Sequence, residues 1–183
     1  MGVDDVTPAA VFLDRDGVLN EPIVRNGRPY PPSSVGELVI AEGAREALER
    51  LKAARYRLVV VTNQPDVATG AQRREVVEAI NAALAAALPL DEVRVCYHDD
   101  RAACDCRKPA PGLLLRAPAH DLARSVMVGD RWRDVEAGVR AGVGACVLID
   151  RAYQEPMTVE PDARVHTLPE AADWILRRRL AGS

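Results

Sequence analysis

Residues 11–20 read VFLDRDGVLN, an apolar run that ends in two aspartates, Asp14 and Asp16, followed by Gly17. Side chains two positions apart on an extended chain point to the same side, so both carboxylates can enter one small volume. Like charges at that separation disfavour ionisation of at least one of the two groups. The pattern therefore indicates that a cation or a reaction is located where this strand ends.

The chain has 183 residues and a formal net charge of −3. This length suits one domain with a substantial core, so we expect residues 1–183 to form a single domain. The negative charge argues against nucleic-acid binding, which needs a basic face. No stretch approaches the roughly 18 apolar residues of a membrane helix, and the acidic start MGVDDVTPAA lacks the features of a secretion signal. We expect a cytoplasmic monomer that binds neither nucleic acid nor membranes.

Short apolar runs alternate with segments of helical periodicity along the whole chain. Unalternating strands separated by helices predict a doubly wound, Rossmann-like α/β fold, with a mostly parallel sheet and helices on both faces. The predicted strands are Ala10–Leu13, Leu58–Val61, Val93–Cys96, Ser125–Val128 and Cys146–Ile149. The predicted helices are Ala44–Ala54, Arg73–Ala87, Gly112–Ala119, Trp132–Ala141 and Pro169–Leu180. Residues 20–37 and the cysteine-bearing loop after Tyr97 fit neither class, and both follow strand ends, where such sheets bind ligands.

Polar residues capable of chemistry follow several of the predicted strands. Carboxylates suit Mg²⁺, lysine and hydroxyl groups can hold phosphate oxygens, and an aspartate can act as a nucleophile. Each residue taken alone is as consistent with a turn, a helix cap or a solvated charge. Together, at the shared edge of a parallel sheet, they predict a site for phosphoryl chemistry. They are Asp14, Asp16, Thr62, Asn63, Lys108, Asp130 and Asp134.

The segments DRDGVLN, TNQ, RKP and GDRWRD occur in this order and span most of the chain. They resemble the four motifs of haloacid dehalogenase superfamily phosphatases. The resemblance implies a Mg²⁺-dependent phosphomonoester hydrolase in which Asp14 is the nucleophile and forms an aspartyl-phosphate. It also implies that Asp16 is the general acid and then the base, while Thr62 and Lys108 hold the phosphoryl group. The implied Mg²⁺ ligands are Asp14, the carbonyl of Asp16 and Asp130, with Asp134 in a supporting role.

A second cluster of potential ligands consists of Cys96, His98, Cys104 and Cys106. Three thiolates and one imidazole suit tetrahedral Zn²⁺ and leave no position for water, so the pattern predicts a structural zinc-binding loop. The alternative is a redox pair or a set of unrelated buried thiols. Cys146 lies apart, in an apolar run, and we expect it to be a buried, unreactive thiol.

The run C-x-H…C-x-C-R-K-P is similar to that of heptose bisphosphate phosphatases and the related histidinol-phosphate phosphatases, which lack a large cap domain. The resemblance implies a small phosphorylated substrate, most simply D-glycero-D-manno-heptose 1,7-bisphosphate losing its 7-phosphate. It assigns Asn63, Arg107 and Arg131 to substrate contacts. Hydrolysis of histidinol phosphate or of another small sugar phosphate remains an alternative. So does a zinc-stabilised binding module without catalysis.

Two segments depart from the family pattern. Where the family has Thr-Asn-Gln-Ser-Gly, this chain has Pro65 and Asp66 in the last two places. Asp66 would repel a second phosphate if its side chain pointed inward. The segment Pro22–Ser34 is longer than the family's substrate loop, and its Arg25 and Arg28 either grip an anionic substrate or are solvated charges.

Overall fold

The computed structural model describes residues 7–25 and 28–181. The strands are β1 (Ala10–Leu13), β2 (Ile23–Arg25), β3 (Arg28–Tyr30), β4 (Arg57–Asn63), β5 (Glu92–Cys96), β6 (Val126–Gly129), β7 (Ala145–Ile149) and β8 (Ala163–Val165). The α-helices are α1 (Ala44–Ala53), α2 (Arg74–Ala87), α3 (Gly112–Leu115), α4 (Trp132–Ala141) and α5 (Leu168–Ala181).

The main sheet has the strand order β5-β4-β1-β6-β7-β8, and all its neighbouring strands are parallel. The chain winds from β1 through β4 to β5 and then returns to the other side of β1 for β6, β7 and β8. The winding direction therefore changes between β1 and β6, and open α/β sheets bind ligands at the carboxyl ends of strands at such a point. This topology confirms the predicted fold class.

Both faces of the sheet are covered, which explains why its strands are apolar without alternation. In β1, Val11 and Leu13 belong to the core that includes residues of α1 and α5. Ala10 and Phe12 point to the other side, where they pack with residues of α3 and α4. Successive side chains of a strand point to opposite faces, so one apolar strand contributes to both cores.

The structure confirms, to within two residues at each end, the predicted strands β1, β4, β5, β6 and β7 and the predicted helices α1, α2, α4 and α5. The short edge strand β8 and the antiparallel pair β2–β3 were not predicted. Helix α3 ends at Leu115 rather than Ala119, and Arg116 is already extended. Pro118 prevents the helix from reaching Ala119, because a proline disfavours helical backbone in the residue that precedes it, here Ala117.

In residues 7–25 and 28–181 the segment between β1 and α1 contains the β2–β3 hairpin and no cap domain. The open edge of the sheet is therefore covered by this hairpin and by the loops that follow β4, β5 and β7. No helix in the described part of the chain is long and apolar enough to span a bilayer. The single-domain organisation of residues 1–183 stays a prediction.

Candidate active site

Three strand ends meet at the carboxyl edge of the sheet. Asp14 follows β1, and its backbone N–H donates to the carbonyl of Val128 in β6 at 3.0 Å. Thr62 lies near the end of β4, and Asp130 follows β6 directly. These residues line a cleft of about 360 Å³. The sheet therefore brings together the carboxylates and the hydroxyl that the sequence placed far apart.

Lys108 connects two of the carboxylates. Its Nζ donates to Asp14 Oδ1 at 2.8 Å and to Asp134 Oδ1 at 2.6 Å. The lysine side chain is only 2% exposed. Burial by itself would lower the pKa of Lys108, but the charges of Asp134 and Asp14 outweigh it and raise that pKa. The lysine is therefore a fixed positive charge beside Asp14.

The carboxylates of Asp14, Asp130 and Asp134 form a compact group, with oxygen atoms within 4.8 Å of one another. Burial raises the pKa of Asp14 to about 6, and the charge of Asp134 contributes in the same direction. Burial and the charge of Asp14 raise the pKa of Asp130 well above its usual value. The buried Asp130 Oδ1 has no hydrogen-bond partner. Three carboxylates beside a single lysine, one of them with an oxygen that has no partner, fit a hard divalent cation such as Mg²⁺.

Gly17 allows the chain to pass close to this group. Its φ is +85°, and a Cβ built on it would lie 1.9 Å from Asp130 Oδ2. Glycine adopts positive φ without steric cost and has no Cβ. Position 17 therefore requires glycine both for its positive φ and for the close approach of Asp130.

Asp16 also lines the cleft and is oriented by donors from three residues. Its carboxylate accepts from Arg15 Nη2 at 3.0 Å, Asn20 Nδ2 at 3.1 Å and Gln64 Nε2 at 2.9 Å. Arg15 has a fully buried side chain and is itself held by Asn81, at 2.8 Å. The sequence reasoning missed Arg15, Asn20 and Asn81 as orienting residues, because nothing in local spacing connects positions 15 and 81.

Gln64, the last residue of the TNQ motif, joins two site residues. The same Nε2 that donates to Asp16 also lies 2.9 Å from Thr62 Oγ1. Its side chain is buried, so these contacts are shielded from solvent. Gln64 belongs to the TNQ motif, but its contact with Asp16 exists only because β4 lies beside β1 in the sheet.

Asn63 makes hydrogen bonds with both the backbone N–H and the backbone carbonyl of Lys108. Its Nδ2 donates to the Lys108 carbonyl at 3.0 Å, and its Oδ1 accepts from the Lys108 N–H at 3.0 Å. Asn63 lines the cleft, yet its amide is committed to the loop that presents the lysine. In the structure, it fixes the end of β4 to that loop.

The side chains of Cys96, His98, Cys104 and Cys106 converge, with ligand atoms within 4.8 Å of one another. The Cys96 sulfur lies 3.1 Å from that of Cys106 and 4.0 Å from that of Cys104. His98 Nδ1 is 3.4 Å from the sulfurs of Cys96 and Cys106. A tetrahedral site with Zn–S bonds of about 2.3 Å spaces its sulfurs by about 3.8 Å. Burial raises the pKa of Cys96 to about 12, so ionisation of that thiol needs a cation, and the donor set fits Zn²⁺.

Arginines and one exposed aspartate form the rim of the cleft. Asp100 Oδ1 accepts from Arg107 Nε at 2.8 Å and from Arg133 Nη1 at 3.1 Å. Hydrogen bonds from these two guanidinium groups lower the pKa of Asp100 to about 2. Arg131 is paired instead with Glu155, its Nε lying 3.1 Å from Glu155 Oε2. The sequence reasoning missed Arg133, although this residue lies within the GDRWRD motif.

The remaining wall of the cleft contains prolines and one further acid. Pro65 and Asp66 line it, together with Tyr30 of the hairpin and its neighbouring prolines. Asp66 thus borders the cleft. Arg25 is exposed and is not among the lining residues, and the side chain of Arg28 lies outside the described part of the structure.

Tyr153, in the loop after β7, lies close to Asp130. Its buried hydroxyl has no hydrogen-bond partner, and burial together with the charge of Asp130 raises its pKa. Tyr153 therefore borders the carboxylate group on the side of Asp130. No feature of the sequence singled out this tyrosine.

A family model described as HAD-hydrolase-like matches residues 105–171. A D-glycero-β-D-manno-heptose-1,7-bisphosphate 7-phosphatase from Escherichia coli (strain K12) is 37% identical over 182 residues, covering 91% of this chain and 87% of the relative. The equivalent protein of Yersinia pestis is 35% identical over 91% of this chain and 89% of its own length. The chain belongs to the heptose bisphosphate phosphatase family.

Solved structures of this family have the same architecture. A D,D-heptose 1,7-bisphosphate phosphatase from B. bronchiseptica, complexed with magnesium and phosphate, superimposes with a TM-score of 0.79 at 29% identity. The alignment covers 93% of this chain and 99% of that chain. A family member from Burkholderia thailandensis gives a TM-score of 0.65 at 27% identity, with 92% and 98% coverage. These matches confirm the predicted family and its phosphatase class.

Proposed function

We propose that this chain is a Mg²⁺-dependent phosphatase that removes the 7-phosphate of D-glycero-D-manno-heptose 1,7-bisphosphate through an aspartyl-phosphate. The observation that carries the proposal is the Asp14–Lys108–Asp134 arrangement, with salt bridges of 2.8 and 2.6 Å, beside Asp16 in one cleft. The proposed substrate is the one on which relatives that share 35–37% identity with the chain are named to act. The proposed function therefore joins the chemistry of the site with the specificity of the family.

Mg²⁺ would be held by Asp14, Asp130 and the Asp16 carbonyl, with Asp134 nearby. The unpartnered Asp130 Oδ1 supports this assignment. When bound, the ion supplies positive charge that offsets the negative oxygens of the transferring phosphoryl group. Lys108 supplies a second positive charge, already fixed by its two carboxylate partners.

In the first half-reaction a carboxylate oxygen of Asp14 attacks phosphorus while the bond from phosphorus to the sugar oxygen breaks. Asp16, as the general acid, gives its proton to the leaving sugar oxygen. Thr62 and Lys108 hold the phosphoryl oxygens. The products of this step are the free sugar hydroxyl and a phosphoryl group on Asp14.

In the second half-reaction water attacks the phosphorus atom, and Asp16 takes a proton from that water. The bond from phosphorus to Asp14 breaks, which releases phosphate and restores the carboxylate. The hydrogen bonds from Arg15, Asn20 and Gln64 position Asp16 beside the cleft, where one group can serve both steps. A positioned group of this kind typically contributes about 10²–10⁴-fold to the rate.

The four-residue cluster Cys96, His98, Cys104 and Cys106 is proposed to bind structural Zn²⁺. Cys106 directly precedes Arg107 and Lys108 in the chain. A closed four-ligand site would therefore fix the backbone that presents the rim arginine and the catalytic lysine. We further propose that the protein acts as a monomer in the cytoplasm.

A substrate panel tests the proposal. Release of phosphate from the heptose 1,7-bisphosphate, from a monophosphate of the same sugar and from histidinol phosphate would be measured in Mg²⁺. Phosphorus NMR would identify which phosphate is lost. We expect the bisphosphate to have the highest kcat/KM and to lose its 7-phosphate.

The Asp14→Asn variant is the control for the chemistry, because the amide has nearly the same shape and is a far weaker nucleophile. A folded Asp14→Asn protein should lose turnover on every substrate. A preference for histidinol phosphate would overturn the substrate assignment alone. Absence of turnover on all phosphomonoesters would favour the binding-module alternative.

A further inference from the structure

One carboxylate oxygen at the cleft rim bridges two guanidinium groups. Asp100 Oδ1 accepts from Arg107 Nε at 2.8 Å and from Arg133 Nη1 at 3.1 Å. Arg107 follows the cysteine cluster, whereas Arg133 belongs to the first turn of α4, so the two cations come from different elements. Asp100, Arg107 and Arg133 line the same cleft as Asp14.

We propose that Arg133 forms, together with Arg107, the subsite for the distal phosphate of the substrate, and that Asp100 occupies this subsite in the free protein. Arg133 is then a specificity-determining residue for a bisphosphate. This inference rests on the proposed function. It adds a second cation to the subsite and an internal anion that the substrate displaces.

The exposures of the three side chains favour such an exchange. Asp100 is 70% exposed, so its carboxylate can turn into water at little cost. The Arg107 side chain is only 13% exposed and that of Arg133 31%, so the two guanidinium groups are held at the cleft wall. Two largely buried cations that share one exposed carboxylate form a site that a stronger anion can enter.

A phosphate is the stronger anion at this position. It has more negative charge than a carboxylate and offers more acceptor oxygens. Guanidinium groups bind it bidentately. Arg131, which also lines the cleft, is engaged by Glu155, whose side chain is less exposed than that of Asp100, at 24% against 70%. The exposed Asp100 is therefore the easier of the two carboxylates to displace.

The test uses the ratio of kcat/KM for the heptose 1,7-bisphosphate to kcat/KM for its 7-monophosphate. Arg133→Gln should lower this ratio about tenfold, because it removes a hydrogen bond to a charged group at a partly exposed position. The loss should fall mainly on KM of the bisphosphate. Arg101→Gln is the matched control, since it removes the same charge from the neighbouring loop at a side chain that is 89% exposed. It should leave the ratio unchanged.

Asp100→Asn tests the displaced anion independently. Removing the competing charge should lower KM for the bisphosphate and raise the ratio by a fewfold. If the wild type prefers the bisphosphate and Arg133→Gln leaves the ratio intact, the subsite is wrong while the proposed substrate stands. A rise in KM for the bisphosphate in Asp100→Asn would overturn the role of Asp100. If the wild type hydrolyses the bisphosphate and the 7-monophosphate equally well, the proposed substrate and the subsite both fail.

Discussion

Asp14 and Asp16 are separated by one residue, yet their side chains have different surroundings. Asp14 faces Lys108, and burial raises its pKa to about 6. Asp16 is 20% exposed and is surrounded by the hydrogen-bond donors of Arg15, Asn20 and Gln64. Two carboxylates in different environments can take different roles in one reaction. The contact of Asp14 with Lys108 and with the carboxylate group supports assigning the nucleophile to Asp14. Asp16, at the partly exposed side of the cleft, is then the group available for proton transfer.

The proton-transfer role predicts a dependence on the leaving group. Asp16→Asn should slow phosphorylation by a sugar phosphate by about 10²–10⁴-fold, since the sugar alkoxide leaves poorly without a proton. An aryl phosphate needs less help, so its burst rate should fall much less. Rapid-quench measurements of both substrates give the comparison. Equal losses would contradict the assignment of Asp16 as the acid.

Gly17 allows a steric prediction with an internal control. Gly17 and Gly70 have similar backbone angles, φ +85° and +76°, but a Cβ on Gly17 meets Asp130 Oδ2 at 1.9 Å whereas one on Gly70 meets nothing within 4 Å. Gly70→Ala should cost about 1–2 kcal/mol through backbone conformation alone. Gly17→Ala should cost more and also reduce activity, because Asp130 must move. Chemical denaturation and steady-state kinetics of both variants measure the difference, and equal behaviour would remove the steric argument.

The sequence identified the reacting residues but not the residues that orient them. The motif residues Asp14, Thr62, Lys108 and Asp130 were identifiable because each follows or ends a recognisable apolar strand or lies in a motif. Their supporting residues were not identifiable in this way. The Arg15–Asn81 hydrogen bond joins residues 66 positions apart, and such a pairing depends on where the helices pack.

Among the elements, the sequence predicted the apolar strands and the long amphipathic helices and missed the short, partly exposed strands β2, β3 and β8. The central strands are continuous apolar runs, so they were identifiable. Strand β8 reads Ala163–Val165 and is partly exposed at the sheet edge, so it lacks that signal. The β2–β3 hairpin contains Pro29, a residue that sequence reasoning excludes from central strands but that a two-stranded ribbon tolerates.

The loop between β5 and α3 gives the prediction for the proposed zinc site. Protein purified without added zinc should contain about one Zn²⁺ per chain. Cys104→Ser should lose that zinc, melt at a lower temperature and have reduced kcat/KM, because Lys108 lies two residues beyond the cluster. Cys146→Ser is the control. It changes a buried cysteine outside the cluster, so it should retain one Zn²⁺ even if its stability falls.

Metal analysis and calorimetry of the two variants decide the question. A Cys104→Ser protein that lacks zinc but matches the wild type in stability and activity would show that the metal is incidental. Loss of zinc in Cys146→Ser would show that zinc content merely follows stability. Either result would leave the phosphatase assignment unaffected, since that assignment rests on the carboxylate group.

For the whole molecule, the buried carboxylates predict how stability depends on pH without metal. The pKa of Asp14 is about 6 in the folded chain against an ordinary value of 3.8, and that of Asp130 is also raised. The folded state therefore binds more protons than the unfolded state over this range. Stability contributed by that proton uptake is fully present below about pH 4 and is lost as the pH rises through about 6.

Mg²⁺ should reverse this loss, because it binds the ionised carboxylates. A hundredfold excess over Kd stabilises a folded protein by about 2.7 kcal/mol. We expect the rise in Tm caused by Mg²⁺ to be larger at pH 7.5 than at pH 5, where protons compete for the same oxygens. Thermal scans in EDTA and in Mg²⁺ at both pH values measure it. An Asp130→Asn variant should show a reduced rise, and a rise independent of pH would contradict the carboxylate site.

Strand β1 is fully buried and bonded on both sides, to β4 and to β6, and the Asp14 amide continues that ladder to Val128. We therefore expect the amide hydrogen of Asp14 to exchange with solvent only when the sheet itself opens. The rim is different: Asp100 lies in an exposed loop outside every strand and helix. Substitutions in this loop can therefore change substrate choice with little effect on the free energy of unfolding. The reacting residues, in contrast, are held by the central strands, which open only when the whole fold does.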